Sequence, residues 1–475
     1  MNARLRDLPS VLGIGVAAAA VGLATVLSPQ LAFVFVLLLA SSAAVAAPAA
    51  AWVVAAVVAT LTFRGLVQLG LLPSVATFAD IGLSWAALLV AYLRRQSALG
   101  HARPVLRGLG ALGLATLVAW SFHRSEVMRP FLYFALLGVP FALLGALLLD
   151  PPAARLRRVL VRVLVVLIAI QIPIAFAQAA GHLVSGRGDP VQGTLYGAGA
   201  GTDTMSAVVV VGALWLLAET RGITTWWRVL FVALAFAVPV VADAKQVLLA
   251  LPAGVLAVSP RRPRTFLLQA LAVVGSILAL FEFGAGHAAA NYLRESQHGR
   301  GGKQIAAEFV WGKLRGDPSS IVFGLGPAET VSRAAFMTTP LLLSQGSPLH
   351  VFGLKPAPVA MEAESRALVV SGGGTSFNSG ISSALRVVGD LGIVGVLVYL
   401  ALPVWIIRSL RRSPATVAIP AASGWGSLLV LGLVFDWWEQ PPFGIVLAVL
   451  TGLALAGVAR EHDSPLHTQP HERDA

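Results

Sequence analysis

Apolar residues run along this chain in blocks about as long as a membrane is thick, separated by short polar stretches. A helix needs about 20 apolar residues to cross roughly 30 Å of hydrocarbon, rising about 1.5 Å per residue. Runs that meet or approach that length cover residues 11–28, 31–47, 49–72, 75–93, 105–122, 131–149, 159–180, 204–219, 226–242, 245–258, 265–284, 381–407, 415–435 and 443–459. The first run follows a basic start at Arg4 and Arg6, but a second apolar run succeeds it at once, so it reads as a retained helix and not as a cleaved signal. The pattern predicts an all-α polytopic membrane protein of about 14 transmembrane helices.

Composition agrees with that reading. The chain has 475 residues, enough for about three soluble domains, but 57% are hydrophobic and 12% charged, which favours one lipid-embedded body. The formal charge of +12 would raise nucleic acid as a partner in a soluble protein. Here the arginines gather between apolar runs, at Arg94 and Arg95, Arg103 and Arg107, and within 155–162, 261–264 and 408–412. With a cytoplasmic N-terminus, strict alternation puts 94–104, 150–158, 220–225, 259–264, 408–414 and the C-terminal tail on one side, as the positive-inside rule requires. Nucleic acid is therefore not an expected partner, whereas the lipid bilayer is. Losing one span would scatter the arginines over both faces; losing a pair would not, so twelve spans fit as well as fourteen.

The expected organisation is helices 1–11 over residues 1–284, an extracytoplasmic loop over 285–380, helices 12–14 over 381–459, and a polar, disordered cytoplasmic tail over 460–475. Loops beyond about 15 residues usually carry function or are disordered. In this one the mixed stretches 303–315 and 328–345 read as short amphipathic helices, which makes the loop a partly helical cap before the last three spans. Cysteine is absent, which excludes disulfides, thiolate metal sites and Cys nucleophiles.

Ionisable residues in or beside apolar spans are costly, so each raises a functional question. They are Arg64, Asp80, Asp243, Lys245, Glu282, Arg386, Asp390, Asp436 and Glu439. Arg386 and Asp390 are spaced i to i+4 and can neutralise each other, as can Glu329 and Arg333 on a surface helix. Trp437 and Trp438 between Asp436 and Glu439 read as an aromatic belt at an outer helix end. Asp243 and Lys245 share a tight outer turn, where Lys245 meets an anionic head group or both side chains only hydrate the turn. Arg187 precedes the glycine-rich stretch 193–201, which could form an anion-binding nest before a helix capped by Thr202 or Asp203. In the long loop, His350, Arg366, Glu362 and Glu364 have no local ion pair to explain them. His-Glu-x-x-His, Gly-x-Ser-x-Gly and the Gly-x-x-x-x-Gly-Lys pattern are all missing, which argues against metal-dependent or serine hydrolysis and nucleotide binding.

The final third carries a family likeness. Phe323, Gly324, Leu325, Gly326 and Pro327 lie in the middle of the long loop, which closes with Thr375, Ser376, Phe377, Asn378 and Ser379. The next span contains Asp390, Leu391, Gly392, Ile393, Val394 and Gly395, and residues 243–251 read DAKQVLLAL. This resembles the O-antigen ligase and O-antigen (Wzy-type) polymerase superfamily, membrane glycosyltransferases of GT-C-like type. That family shows a Gly-x-Gly element in a large periplasmic loop, a closing His-Asn pair, an acidic residue before Leu-Gly-hydrophobic-hydrophobic-Gly, and a Ser-Arg-hydrophobic segment at an outer helix end. Lys245 stands in the place of that arginine, and Phe377 replaces the usual histidine before Asn378.

The resemblance implies a bacterial plasma-membrane enzyme with both termini cytoplasmic and no cofactor or metal. It would transfer a glycan from a polyprenyl diphosphate-linked donor to a glycan or lipid acceptor hydroxyl on the outer face. A diphosphate leaving group calls for cations, so Lys245 and Arg366 are expected to hold it, with Arg187 and Arg333 next and Asn378 also in the substrate site. With the usual histidine missing, His350 and then Asp243 are the expected proton acceptors, before Glu329, Glu362 and Glu364. A lipid-linked transporter or flippase and a non-catalytic envelope assembly protein are the rival readings.

Overall fold

The computed structural model describes residues 47–94, 100–123, 128–181, 191–195, 201–218, 225–242, 302–330, 382–434 and 437–463, with scattered positions between 244 and 278 and at 332 and 334. The described residues form helices joined by turns, with no strand among them. In chain order the α-helices are α1 Ala49–Val58, α2 Arg64–Gln68, α3 Ala79–Arg94, α4 Arg103–His123, α5 Met128–Leu149, α6 Ala154–Ala179, α7 Gly201–Ala218, α8 Thr225–Val241, α9 Gly302–Arg315, α10 Pro318–Phe323, α11 Ser383–Arg412, α12 Ala418–Val434 and α13 Pro441–Asp463. A π-helical turn, Ala59–Phe63, joins α1 to α2 into one rod.

Among the described residues seven helices are long and apolar enough to cross a membrane, Ala49–Gln68, Val75–Arg94, Gly100–His123, Met128–Leu149, Ala154–Ala179, Gly201–Ala218 and Ser383–Arg412. Shorter apolar helices cover Trp226–Val241, Ala418–Leu433 and Pro441–Ala456. Each of these ten coincides with a run expected from sequence, and the chain is on this ground a multi-pass helical membrane protein. The run 11–28 lies outside the described residues, as do all but the last residue of 31–47 and most of 245–258 and 265–284. The 303–315 stretch is the helix α9, with Val310 and Leu314 buried and Glu308, Trp311, Lys313 and Arg315 exposed, the one-sided pattern of an amphipathic helix. Asp317 caps α10, accepting from Ser319 N at 2.9 Å and Ser319 Oγ at 2.5 Å. Those bonds favour its charged form and hold its carboxyl below the ordinary value.

In lipid the hydrophobic effect does not drive helix on helix, so close packing and interhelical hydrogen bonds must. α5, α7 and α13 form the buried centre. Trp85 Nε1 of α3 donates to Ala135 O of α5 at 3.0 Å, and Trp425 Nε1 of α12 to Thr451 Oγ1 of α13 at 2.9 Å. Phe141 lies between Tyr399 and Trp425, with centroids 5.7 Å from each.

The two ends of the bundle differ. At one end Asp150 Oδ2 accepts the first amide of α1, Ala49 N, at 2.9 Å, while Ser413 Oγ and Arg157 reach the carbonyls of Ala454 and Leu453. The exposed arginines Arg94, Arg103, Arg107, Arg155, Arg158, Arg408, Arg411 and Arg412 gather at this end. The seven acidic and basic residues buried among the described residues, Arg64, Asp80, Arg129, Glu329, Arg386, Asp390 and Glu439, lie toward the other end.

Candidate functional site

The polar end is built from three non-helical segments set among the helix ends. Irregular backbone is tolerated at membrane depth only where protein or a cavity satisfies its polar groups. Residues 191–195 are held by two glutamines spaced i to i+7 on α6. Gln178 Oε1 accepts from Gln192 N at 2.9 Å and Gly193 N at 2.8 Å, and its Nε2 donates to Gly193 O at 3.0 Å. Gln171 Oε1 accepts Thr194 N at 2.9 Å, and its Nε2 reaches Leu61 O at 3.5 Å, a carbonyl of the π-helical turn that Thr194 Oγ1 also contacts. One helix face therefore pins this segment to the α1–α2 rod.

The second segment, 324–330, docks into a break in α11. Gly392 has φ 69° and ψ −170° inside the helix, a conformation that favours glycine. Carbonyls next to the break are taken by the segment: Leu325 N donates to Gly389 O at 2.7 Å and Gly326 N to Asp390 O at 3.2 Å. The two backbones meet so closely that a Cβ on Gly392 would stand 2.2 Å from Val322 O, and one on Gly324 would stand 2.3 Å from Asp390 O. Farther along the turn, Thr330 N and Thr330 Oγ1 donate to Asp390 Oδ1 at 2.7 and 2.8 Å. The third segment, 437–440, hangs on α11 as well, since Ser383 Oγ accepts Trp437 N at 2.7 Å and Trp438 N at 2.9 Å. Gln440 Oε1 accepts from Thr204 Oγ1 of α7 at 2.7 Å.

Charge concentrates where these segments meet. Arg129 of α5 pairs with Glu329 at 2.5 Å, both buried. Tyr133, one turn further on α5, is electrostatically coupled to Asp390, Glu439 and Arg386. Its hydroxyl faces the Asp390 carboxyl, and both side chains are buried. A separate pair, Arg64 and Asp80 at 3.7 Å, is joined by Thr60 Oγ1, which donates to Asp80 Oδ2 at 2.8 Å. This arrangement presents arginines, carboxylates and a phenol in a water-poor layer, where a fixed charge acts more strongly than in water.

The residues singled out from sequence fall unevenly on this frame. His350, Asp243, Lys245, Arg366, Arg187, Arg333 and Asn378 lie outside the described residues, as do Glu282, Glu362, Glu364 and Asp436. The Gly-x-Gly and Asp-Leu-Gly elements, more than sixty residues apart in the chain, are in direct contact. Several expectations are corrected. Glu329 is buried against Arg129 and not on an exposed helix face, because 324–330 is a turn in which Ala328 takes φ 60°. Asp390 directs Oδ1 to Thr330, and Arg386 acts on it as a nearby opposite charge rather than as its hydrogen-bond partner at Oδ1. Trp437 and Trp438 are buried rather than a lipid-facing belt, with Trp438 stacked on Tyr399 at 4.6 Å. The Gly193 amide is not open to an anion, since Gln178 fills the turn. The helix expected to start near Thr204 starts at Gly201, which places Thr202 and Asp203 in its first turn.

Sequence reasoning passed over Arg129, Tyr133, Gln171 and Gln178. Arg129 had a usable signal, an arginine on the face where the charge rule expects few. The glutamines had one too, as polar residues two turns apart in an apolar helix. Comparison with known proteins gives no matching family model and no matching curated protein.

Proposed function

We propose that this protein is a bacterial inner-membrane glycan polymerase or ligase, transferring a glycan from a polyprenyl diphosphate carrier to an acceptor hydroxyl on the outer face. The observation that carries the reading is the docking of Gly324 and Gly326 against the Asp390–Gly392 break. The two segments on which the family likeness rests thus build one structural unit, at the end that holds the buried charge. The arginine-studded end is then cytoplasmic and the polar end outer.

In the transfer, the acceptor oxygen bonds to the anomeric carbon while the bond from that carbon to the diphosphate oxygen breaks. The electron pair leaves with the diphosphate and the acceptor proton passes to a base. Cations that stabilise the departing charge lower the barrier. Lys245, Arg366, Arg187 and Arg333 are assigned to that role with Asn378 beside them, and His350 or Asp243 takes the proton. Arg129 and Arg386 belong to the buried layer beneath.

Deleting the gene in its host and analysing surface polysaccharide tests this. Single repeat units accumulating on lipid identify a polymerase, and long unattached chains on lipid identify a ligase. Unchanged glycans would remove the reading in favour of an assembly protein or another substrate.

A further inference from the structure

We infer that Asp390 is a positioning residue, whose carboxylate clasps the turn 324–330 into the notch at the Gly392 break and so sets Glu329 against Arg129. The turn has two anchors. At its start, Leu325 N and Gly326 N donate to the backbone carbonyls of Gly389 and Asp390, bonds in which the Asp390 side chain takes no part. At its end, Thr330 reaches Asp390 Oδ1 twice, through its amide and its hydroxyl. Glu329 lies between the anchors and meets Arg129 of α5. Ala328 also lies between them at φ 60°, a conformation costly for a residue with a Cβ that persists only where its surroundings impose it.

The same geometry argues that Asp390 is not itself the proton acceptor. A base must come within hydrogen-bond reach of the acceptor hydroxyl. Asp390 is fully buried, which keeps an acceptor hydroxyl from either of its oxygens, and Oδ1 already accepts from two donors. Both bonds from Thr330 end on one oxygen of the Asp390 side chain, so that oxygen supplies the anchor at the end of the turn. Asparagine at 390 would keep an oxygen for Thr330; alanine would not.

The chain has no cysteine, which makes disulfide trapping a direct reading of the clasp. A Cβ on Gly389 would stand 3.5 Å from Thr330 Cβ, within the range a disulfide spans. The parent is the full chain carrying Thr330→Cys and Gly389→Cys, oxidised mildly in its own membrane. We expect rapid trapping, little changed by Asp390→Asn and slowed about fivefold by Asp390→Ala, the loss of the bond from the amide of position 330 that the Thr330→Cys parent keeps. A parent that fails to trap, or an Asp390→Ala variant that traps as fast as the parent, overturns the proposal.

A second arm uses glycan transfer and rests on the proposed function. Thr330→Val is expected to lower the rate at least about fivefold and Thr330→Ser to restore it, since only serine returns the hydroxyl donor. Both should keep the pH–rate profile of the unmutated protein. This series carries the test if Asp390→Ala does not reach the membrane, and failure of serine to restore what valine loses counts against the clasp. If Asp390→Asn traps normally but has a displaced pH profile, Asp390 carries the proton and the positioning role is wrong. If the unmutated protein transfers no glycan while trapping follows the stated order, the transfer reading fails and the clasp is upheld by trapping alone.

Discussion

Changing Glu329 to Gln removes one charge from the Arg129–Glu329 pair and almost nothing of its shape. The two side chains meet at 2.5 Å and both are buried. Arginine does not give up its proton in a protein, so the variant removes the carboxylate charge that faces the Arg129 guanidinium in a water-poor layer. Breaking a buried pair in this way costs about 3–5 kcal/mol, most of it the penalty for the partner left behind. Replacing both partners, Arg129→Met with Glu329→Leu, takes both charges away and should cost far less than either single change. Thermal unfolding in detergent, read by loss of the monodisperse species, is a suitable assay. A loss of 3–5 kcal/mol corresponds to a midpoint lower by on the order of 3–5 °C in a chain of this size. A Glu329→Gln variant within about 1 kcal/mol of the parent, or a double variant worse than both singles, would show that the pair is not held dry as the structure has it.

Gly392→Ala is expected to destabilise by more than about 2 kcal/mol, because the added Cβ meets Val322 O and the residue must keep a positive φ; a stability equal to the parent in mixed-micelle unfolding would rule out the break. Gln178→Ala strands two buried amides, at about 1–3 kcal/mol each, and should speed hydrogen exchange at Gln192 and Gly193. Gln178→Glu keeps the acceptor and should fall between; exchange unchanged in both variants would mean the clamp is absent. Ser347→Cys, in the loop expected outside, should react with an impermeant thiol reagent on intact cells. Reaction only after lysis would invert the threading.

Much of the bundle was legible because lipid imposes a length and an apolar surface on each span, and both are written locally in the sequence. The ten apolar helices between residues 49 and 456 follow from that. The polar end was legible only in pieces, because its contacts join residues far apart in the chain. The spacing of Arg386 and Asp390 is a correct helical pair, yet Asp390 Oδ1 goes to Thr330, sixty positions away. Glu329 reads as a surface residue from its spacing alone, whereas the turn at Ala328 sets it inward against Arg129. Trp437 and Trp438 look like a lipid belt until Ser383 of α11 is seen to hold their amides inside. The glycine motif 324–327 announced a close backbone approach but not its partner, the break at Gly392.

The most direct measurement of the central claim uses the purified protein in lipid vesicles with a synthetic polyprenyl diphosphate-linked repeat unit and an acceptor. Glycan transfer predicts a lengthened or newly attached glycan together with free polyprenyl diphosphate in equal amount, and loss of both products when Lys245 and Arg366 are replaced by alanine. Donor that stays intact, whether left in place or moved across the bilayer, would contradict the account.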